Sequence, residues 1–218
     1  AYNNERVMLR SEAILEAFDS LANLPRDATE LETRVAILKA FTALFALEGI
    51  MFMSSFAVTF GIAETGIFQG ISKLIELICR DEVLHTRMDY EILNILKGEG
   101  TWKAAMAIAS EDMKKILDDV VNHELQWSKY VFEEGEIVGL TTELLQEYVQ
   151  HMARPIYLAL GLDFNFEVIQ DNPLKYMDKY VDSSVIQVAP QELQATTYQV
   201  GAIVDDTDDM DLDLDDLF

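Results

Sequence analysis

Residues 40–63 read AFTALFALEGIMFMSSFAVTFGIA, and the only charged side chain among them is Glu48. An apolar run of this length is enough to cross a bilayer. A carboxylate near its middle is costly in lipid, however, and no basic cluster flanks the run. It therefore reads as a fully buried helix of a helical bundle. That reading makes Glu48 the residue to explain, because a carboxylate taken out of water needs a partner, a proton or a metal ion.

Working outward, the chain is helical almost throughout. AYNNERVMLRSEAILEAFDSLANL carries apolar residues at helical spacing and stops before Pro25. A second helix is expected from about Thr29 through the apolar run, losing regularity near Gly61 and Gly66. Ser72 is expected to cap a third, which carries RDEVLH and ends at the Gly98–Gly100 break. Thr101 starts a fourth that continues through WSKYVFEE to Gly135. Thr141 or Thr142 caps a fifth, TTELLQEYVQHMARPIYLAL, which stops at Gly161 and which Pro155 should kink or split. Beyond it the periodicity disappears, and FNFEVIQDNPLKYMDKYVDSSVIQVAPQELQATTYQVG reads as an extended wrap. The closing VDDTDDMDLDLDDLF is too acidic to fold alone. The expected architecture is all-α: a bundle over residues 1–163, a wrap over 164–200 and a flexible acidic tail over 201–218.

The formal charge of −23 over 218 residues is uneven, with eight Asp and no Lys or Arg between Val204 and Phe218. Such a surface repels nucleic acid and anionic membranes, and favours basic partners or plain solubility. The single cysteine, Cys79, rules out an internal disulfide and fits a reducing compartment. No signal-peptide pattern is read at the start, so a cytoplasmic location is expected.

The chemistry-bearing pattern is RDEVLH, residues 80–85, following the mostly apolar LIELIC. Glu82 and His85 are three apart, so on a helix they leave from nearly one face. That spacing suits a metal ion, and it equally suits a solvated helix face. Glu48 shares a stripe with Phe52 and Phe56, at i+4 and i+8, which read as core on their own. Antiparallel packing of the two helices would turn Glu82 and His85 toward Glu48, a half-site for a pair of hard first-row ions. In dimetal carboxylate bundles two helices give one Glu each and two others a Glu-x-x-His pair. The bland alternative pairs Glu48 with a buried base. His123 and His151 have no comparable partners and read as surface or capping residues.

FALEGIMFMSSFAVTFGIAE, LICRDEVLHTRMDYEILNIL and VAPQELQATTYQVG, in that order along nearly the whole chain, resemble the small, radical-generating subunit of class I ribonucleotide reductase. The resemblance implies a ferritin-like bundle in which Glu48, Glu82 and His85 match ligands of a di-iron site, with manganese as the alternative metal. It implies that Asp81 matches a carboxylate bonded to a ligand histidine and a radical-route tryptophan. Phe52, Phe56 and Ile78 match the apolar pocket beside a radical tyrosine. Tyr198 matches the tail tyrosine that relays the radical to the large subunit, and Glu192 a tail carboxylate needed for the transfer. The acidic end, with Leu217 and Phe218, resembles the segment that docks into the large subunit, and a dimer of small subunits is implied. Met210, Leu214, Leu217 and Phe218 would align on one side of a short helix.

The chain departs from the family upstream. The family's site also takes an Asp, a second Glu-x-x-His, the radical tyrosine and the tryptophan, yet the first 47 residues contain no histidine and Tyr2 precedes any helix. The chain thus holds half the ligand set, as the C-terminal part of such a subunit would. A naturally split subunit, completed by a separate N-terminal half, is the expectation; a cut-short chain is the alternative. A non-catalytic module that keeps the bundle and docking tail is the competing function. Another dimetal carboxylate protein, such as a monooxygenase component or ferritin relative, leaves Tyr198 and the tail unexplained.

Overall fold

A computed structural model describes residues 5–182, and among these there is no β-strand. Helix α1 spans Glu5–Ala22 and α2 spans Glu30–Ala46. A π-turn over Leu47–Met51 leads straight into α3, Phe52–Glu64. Then come α4 (Gln69–Gly98), α5 (Gly100–Val131), α6 (Thr142–Leu160) and a short α7 (Met177–Val181).

The starts of the helices follow from local chemistry. Thr29 caps α2 through a capping box: its hydroxyl accepts from the Glu32 N–H, and the Glu32 carboxylate accepts from the Thr29 N–H. Thr141 caps α6 by accepting from the Leu144 N–H at 3.2 Å. Gly161, at φ +74°, closes α6 in the left-handed conformation that glycine tolerates. Two expectations are corrected. Ser72 does not cap α4, because its N–H already bonds Phe68 O at 2.9 Å inside the first turn; the helix begins at Gln69, after a left-handed Phe68. Of the two effects expected of Pro155, the split does not occur, since α6 runs unbroken through it.

Small residues let the first helices approach closely. Ala13 and Ala17 of α1, Ala36, Ala40 and Ala43 of α2, and Ala105 and Ala109 of α5 are all buried, and these three helices pack on one another. Phe45, Ile50, Leu117, Ile156 and Tyr157 fill the core between them and α6. A second cluster lies past the π-turn, where Met53, Phe56 and Phe60 of α3 meet Cys79 of α4 and Leu145 and Tyr148 of α6. From Asp163 to Tyr176 the chain forms no helix, and Leu174 and Met177 bury themselves in this second cluster. The α2–α3 helix is long and apolar enough to cross a membrane. Its fully covered Leu38, Ala43, Phe45, Ile50 and Ala57 instead mark it as the central helix of a bundle.

Candidate metal centre

The π-turn joins the two core clusters, and Glu48 lies within it. A π-turn adds one residue to a helical turn: here the Phe52 N–H reaches back to Leu47 O, not to Glu48 O. Gly49 lets this turn come close to its neighbours, since a Cβ there would lie 2.7 Å from Ile156 Cδ1 of α6 and 3.5 Å from Thr86 Cγ2 of α4. Glu48 is only 9% exposed, and its Oε2 has no hydrogen-bond partner.

Helix α4 brings the other groups. His85 Nδ1 lies 3.0 Å from Glu82 Oε2 and 3.6 Å from Glu48 Oε1. One ligand atom from each of Glu48, Glu82 and His85 lies within 4.8 Å of the others. Both carboxylates are largely covered, whereas the imidazole is 48% exposed, so the cluster is open on the His85 side.

Asp89, one turn beyond His85, forms the inner wall. It is 4% exposed, with an unpartnered Oδ2. Burial first, then its hydrogen bond with Glu48 and the charge there, pushes the Asp89 carboxyl up to about 7. Burial likewise raises Glu48, against the opposing effects of Asp89 and His85. His85 is raised chiefly by its hydrogen bond to Glu82. Among the described ion pairs, His85 is the only basic partner of Glu48 and Glu82. Three carboxyls and one imidazole in a largely covered corner need protons or a cation. Hard oxygen donors with one imidazole nitrogen, and a carboxylate oxygen left without a partner, fit a first-row ion such as iron or manganese.

The face of α4 that carries Glu82, His85 and the buried Asp89 is lined on either side of them by exposed apolar side chains. Ile71, Leu74, Ile78, Ile92 and Ile95 are exposed. At ~100° per residue the first four fall with the two ligands inside about 80° of arc, and Ile95 lies about 60° outside it.

The other expected site residues are placed as follows. Phe56 is buried and Phe52 half-buried, their rings 6.3 Å apart. Phe60 continues the row at 6.1 Å and stacks on Tyr180 at 3.9 Å. Ile78 is 51% exposed. Asp81 is exposed and is not part of the Glu48–Glu82–His85 cluster. Glu192, Tyr198, Leu217 and Phe218 lie outside the described residues. His151 sets Nδ1 3.2 Å from Ile169 O. His123 is not a surface residue: it is half-buried, with an unpartnered Nδ1.

Sequence reasoning missed Asp89. Its signal was the spacing Glu82, His85, Asp89, which continues one helix face. It also missed a buried pair beside the π-turn, Arg10 with Glu124.

A helical bundle that sets a buried Glu on one helix against a Glu-x-x-His on the next has half the ligand pattern of the dimetal carboxylate proteins. The fold agrees. The ribonucleotide reductase R2 subunit from Clostridium botulinum superposes with a TM-score of 0.67 at 26% identity, covering 83% of this chain and 54% of that one. A putative class I ribonucleotide reductase from Bacillus halodurans gives 0.69 at 23% identity, over 82% and 61%. The family described as ribonucleotide reductase, small chain, matches residues 2–173. The chain belongs to that family, and its bundle is of the ferritin-like kind.

Among curated relatives, the ribonucleoside-diphosphate reductase 1 subunit beta of Salmonella typhimurium is 31% identical over 235 residues, covering 98% of this chain and 61% of its own length. The ribonucleoside-diphosphate reductase subunit beta of Enterobacteria phage T4 is 30% identical over 172 residues, covering 75% and 44%. The chain thus spans about three fifths of the length of the first curated relatives it matches.

Proposed function

We propose that this chain is part of the small subunit of a ribonucleoside-diphosphate reductase. It contributes three ligands to a dimetal centre that generates and stores a radical, which is relayed to a large subunit that reduces ribonucleotides to deoxyribonucleotides. The observation that carries the reading is the Glu48–Glu82–His85 cluster, with a buried carboxylate oxygen left unpartnered and one side open. A docking module that does no chemistry has no use for two buried carboxyls, Glu48 and Asp89, gathered around a half-exposed imidazole.

Two iron ions, or manganese, would supply the one-electron oxidation when bound. The side chains of this chain do the rest. Glu48 and Glu82 offer oxygens that can change binding mode, and His85 offers a nitrogen. Phe52, Phe56 and the exposed Ile78 keep water from the oxidised group once that face is covered. Asp81 orients a neighbouring ligand, an assignment drawn from the resemblance. Tyr198 can lose an electron and a proton together, Glu192 assists that transfer, and Leu217 with Phe218 anchors the tail on the large subunit.

Three ligands do not hold two ions. The remaining carboxylates, imidazole and radical tyrosine come from the rest of the small subunit, which covers the open face of α4. The assembly is a cytoplasmic dimer of small subunits bound to the large subunit. The test is metal analysis of these 218 residues, of the complementary part of the subunit and of their mixture. Two tightly held ions are expected only in the mixture; two held by this chain alone would overturn the reading.

A further inference from the structure

We infer that Arg10, acting with Glu124, is a positioning residue for the metal centre: it clamps the end of the π-turn so that the Glu48 carboxylate faces Glu82 and His85. The inference rests on the reading of Glu48 as a ligand, but Arg10 touches none of the three ligand side chains in the described contacts.

Arg10 reaches from α1 into the interface of α3 and α5. Its Nε bonds Glu124 Oε1, and its Nη2 lies 2.8 Å from Glu124 Oε2, a two-pronged pair with a carboxylate that is 0% exposed. The same Nη2 lies 2.8 Å from Met51 O and 2.7 Å from Ser55 Oγ. Ser55 in turn donates to Met51 O at 3.0 Å, and the Ser54 hydroxyl donates to Glu124. The guanidinium lies 3.9 Å over the Trp127 ring, which fixes its plane. Met51 is the last residue of the π-turn. Its carbonyl is therefore held by α1 through Arg10 and by α3 through Ser54 and Ser55, with Glu124 of α5 holding Arg10 in turn.

The turn needs holding because its winding is not the relaxed one. Returning to ordinary α-helical winding would shift the register by one residue, and a residue is worth about 100° of rotation. Glu48 would then leave the face of Glu82 and His85, or α3 would leave its packing. On the other flank Gly49 seats the turn against Ile156 and Thr86. Arg10 supplies the matching hold by charge and hydrogen bonds. An ion pair kept only for stability is replaceable by apolar side chains of like volume. A clamp is not, since an apolar pair leaves the Met51 carbonyl with only the Ser54 and Ser55 hydroxyls of the helix that follows it, and cuts its tie to α1 and α5.

The test compares the full chain with Arg10→Met and with the double variant Arg10→Met/Glu124→Leu. Three readouts are taken: thermal melting, hydrogen–deuterium exchange of the metal-free protein, and the Mn2+ concentration that half-broadens the His85 ring signals in NMR. Arg10→Met alone leaves Glu124 buried without its partner and should melt lower. The double variant should melt at or above the parent. Its amides over residues 49–55 should nevertheless exchange at least tenfold faster, with α6 unchanged, and half-broadening should need at least tenfold more Mn2+. Parental exchange and a parental Mn2+ response in the double variant would overturn the inference, as would exchange that quickens evenly across all helices. If Mn2+ fails to broaden His85 in the parent, the ligand reading fails, while the exchange pattern still decides the clamp.

Discussion

Asp89 and Glu48 place two carboxyls in one buried corner, with a half-exposed imidazole as their nearest basic group. Burial and the neighbouring Glu48 raise Asp89 from an ordinary 3.8 to about 7. Between those values the folded chain holds a proton that the unfolded chain has released, so metal-free stability falls as pH rises from about 4 to about 7 and levels off above. Asp89→Asn should flatten that slope, leaving the smaller part due to Glu48 and His85, and stabilise the metal-free protein at pH 8 by about 1–3 kcal/mol. Urea melts at pH 5 and pH 8 check it, and an unchanged pH slope would mean that Asp89 is not the group responsible. Replacing Glu82 or His85 by Ala should abolish radical formation in the complete assembly with helical content nearly intact; unaltered radical yield would place the site elsewhere. Glu48, Glu82 and His85 were legible in the sequence because a lone acid in an apolar run and an i, i+3 acid–imidazole pair both stand out. Asp89 was not, since an acid on an amphipathic helix is ordinary until its neighbours bury it.

At the scale of elements, the π-turn decides where Glu48 goes, and it left no mark in the sequence pattern. Residues 30–64 are apolar nearly all round, so there is no single stripe whose phase could slip to reveal the extra residue. The helix boundaries were easier to read. Thr29 and Thr141 carry cap chemistry that works from within a few residues, whereas the start of α4 depends on a left-handed Phe68 that no propensity favours. Gly49→Ala should cost about 1–3 kcal/mol, because its Cβ would press on the Ile156 side chain, and should weaken metal binding as the turn is pushed off α6. Thermal melting with parallel metal titration would show it; a melt and an affinity both like the parent's would mean that the contact yields freely. Thr29→Ala, at a cap far from the site, should cost about 1 kcal/mol and leave metal binding alone. A change in metal affinity there would show that α2 transmits strain to the π-turn.

At the scale of the whole molecule, charge and cover matter most. Removing residues 210–218 takes away four Asp and the Leu217–Phe218 pair. Burying two such side chains in a groove is worth roughly 3–6 kcal/mol before ordering costs. The deletion should therefore cut affinity for a large subunit severely without disturbing the bundle. A peptide of the same residues should compete, and added salt should slow association. Calorimetry at low and high salt decides it: undiminished binding would leave the tail as a solubility device.

The uncovered row on α4 has a further consequence, for how the protein behaves in a tube. From Ile71 to Ile92 it runs about 32 Å at 1.5 Å per residue, apolar except at Glu82, His85 and the buried Asp89. A chain with such a row behaves in part like a surfactant, dispersed when dilute and self-associating when concentrated. Each uncovered row can then meet the row of another copy, and the fraction of open metal sites will follow the dilution as well as the metal added. Metal stoichiometry measured at one concentration describes that concentration only; a dilution series separates the intrinsic affinity of the site from the traffic of the row that surrounds it.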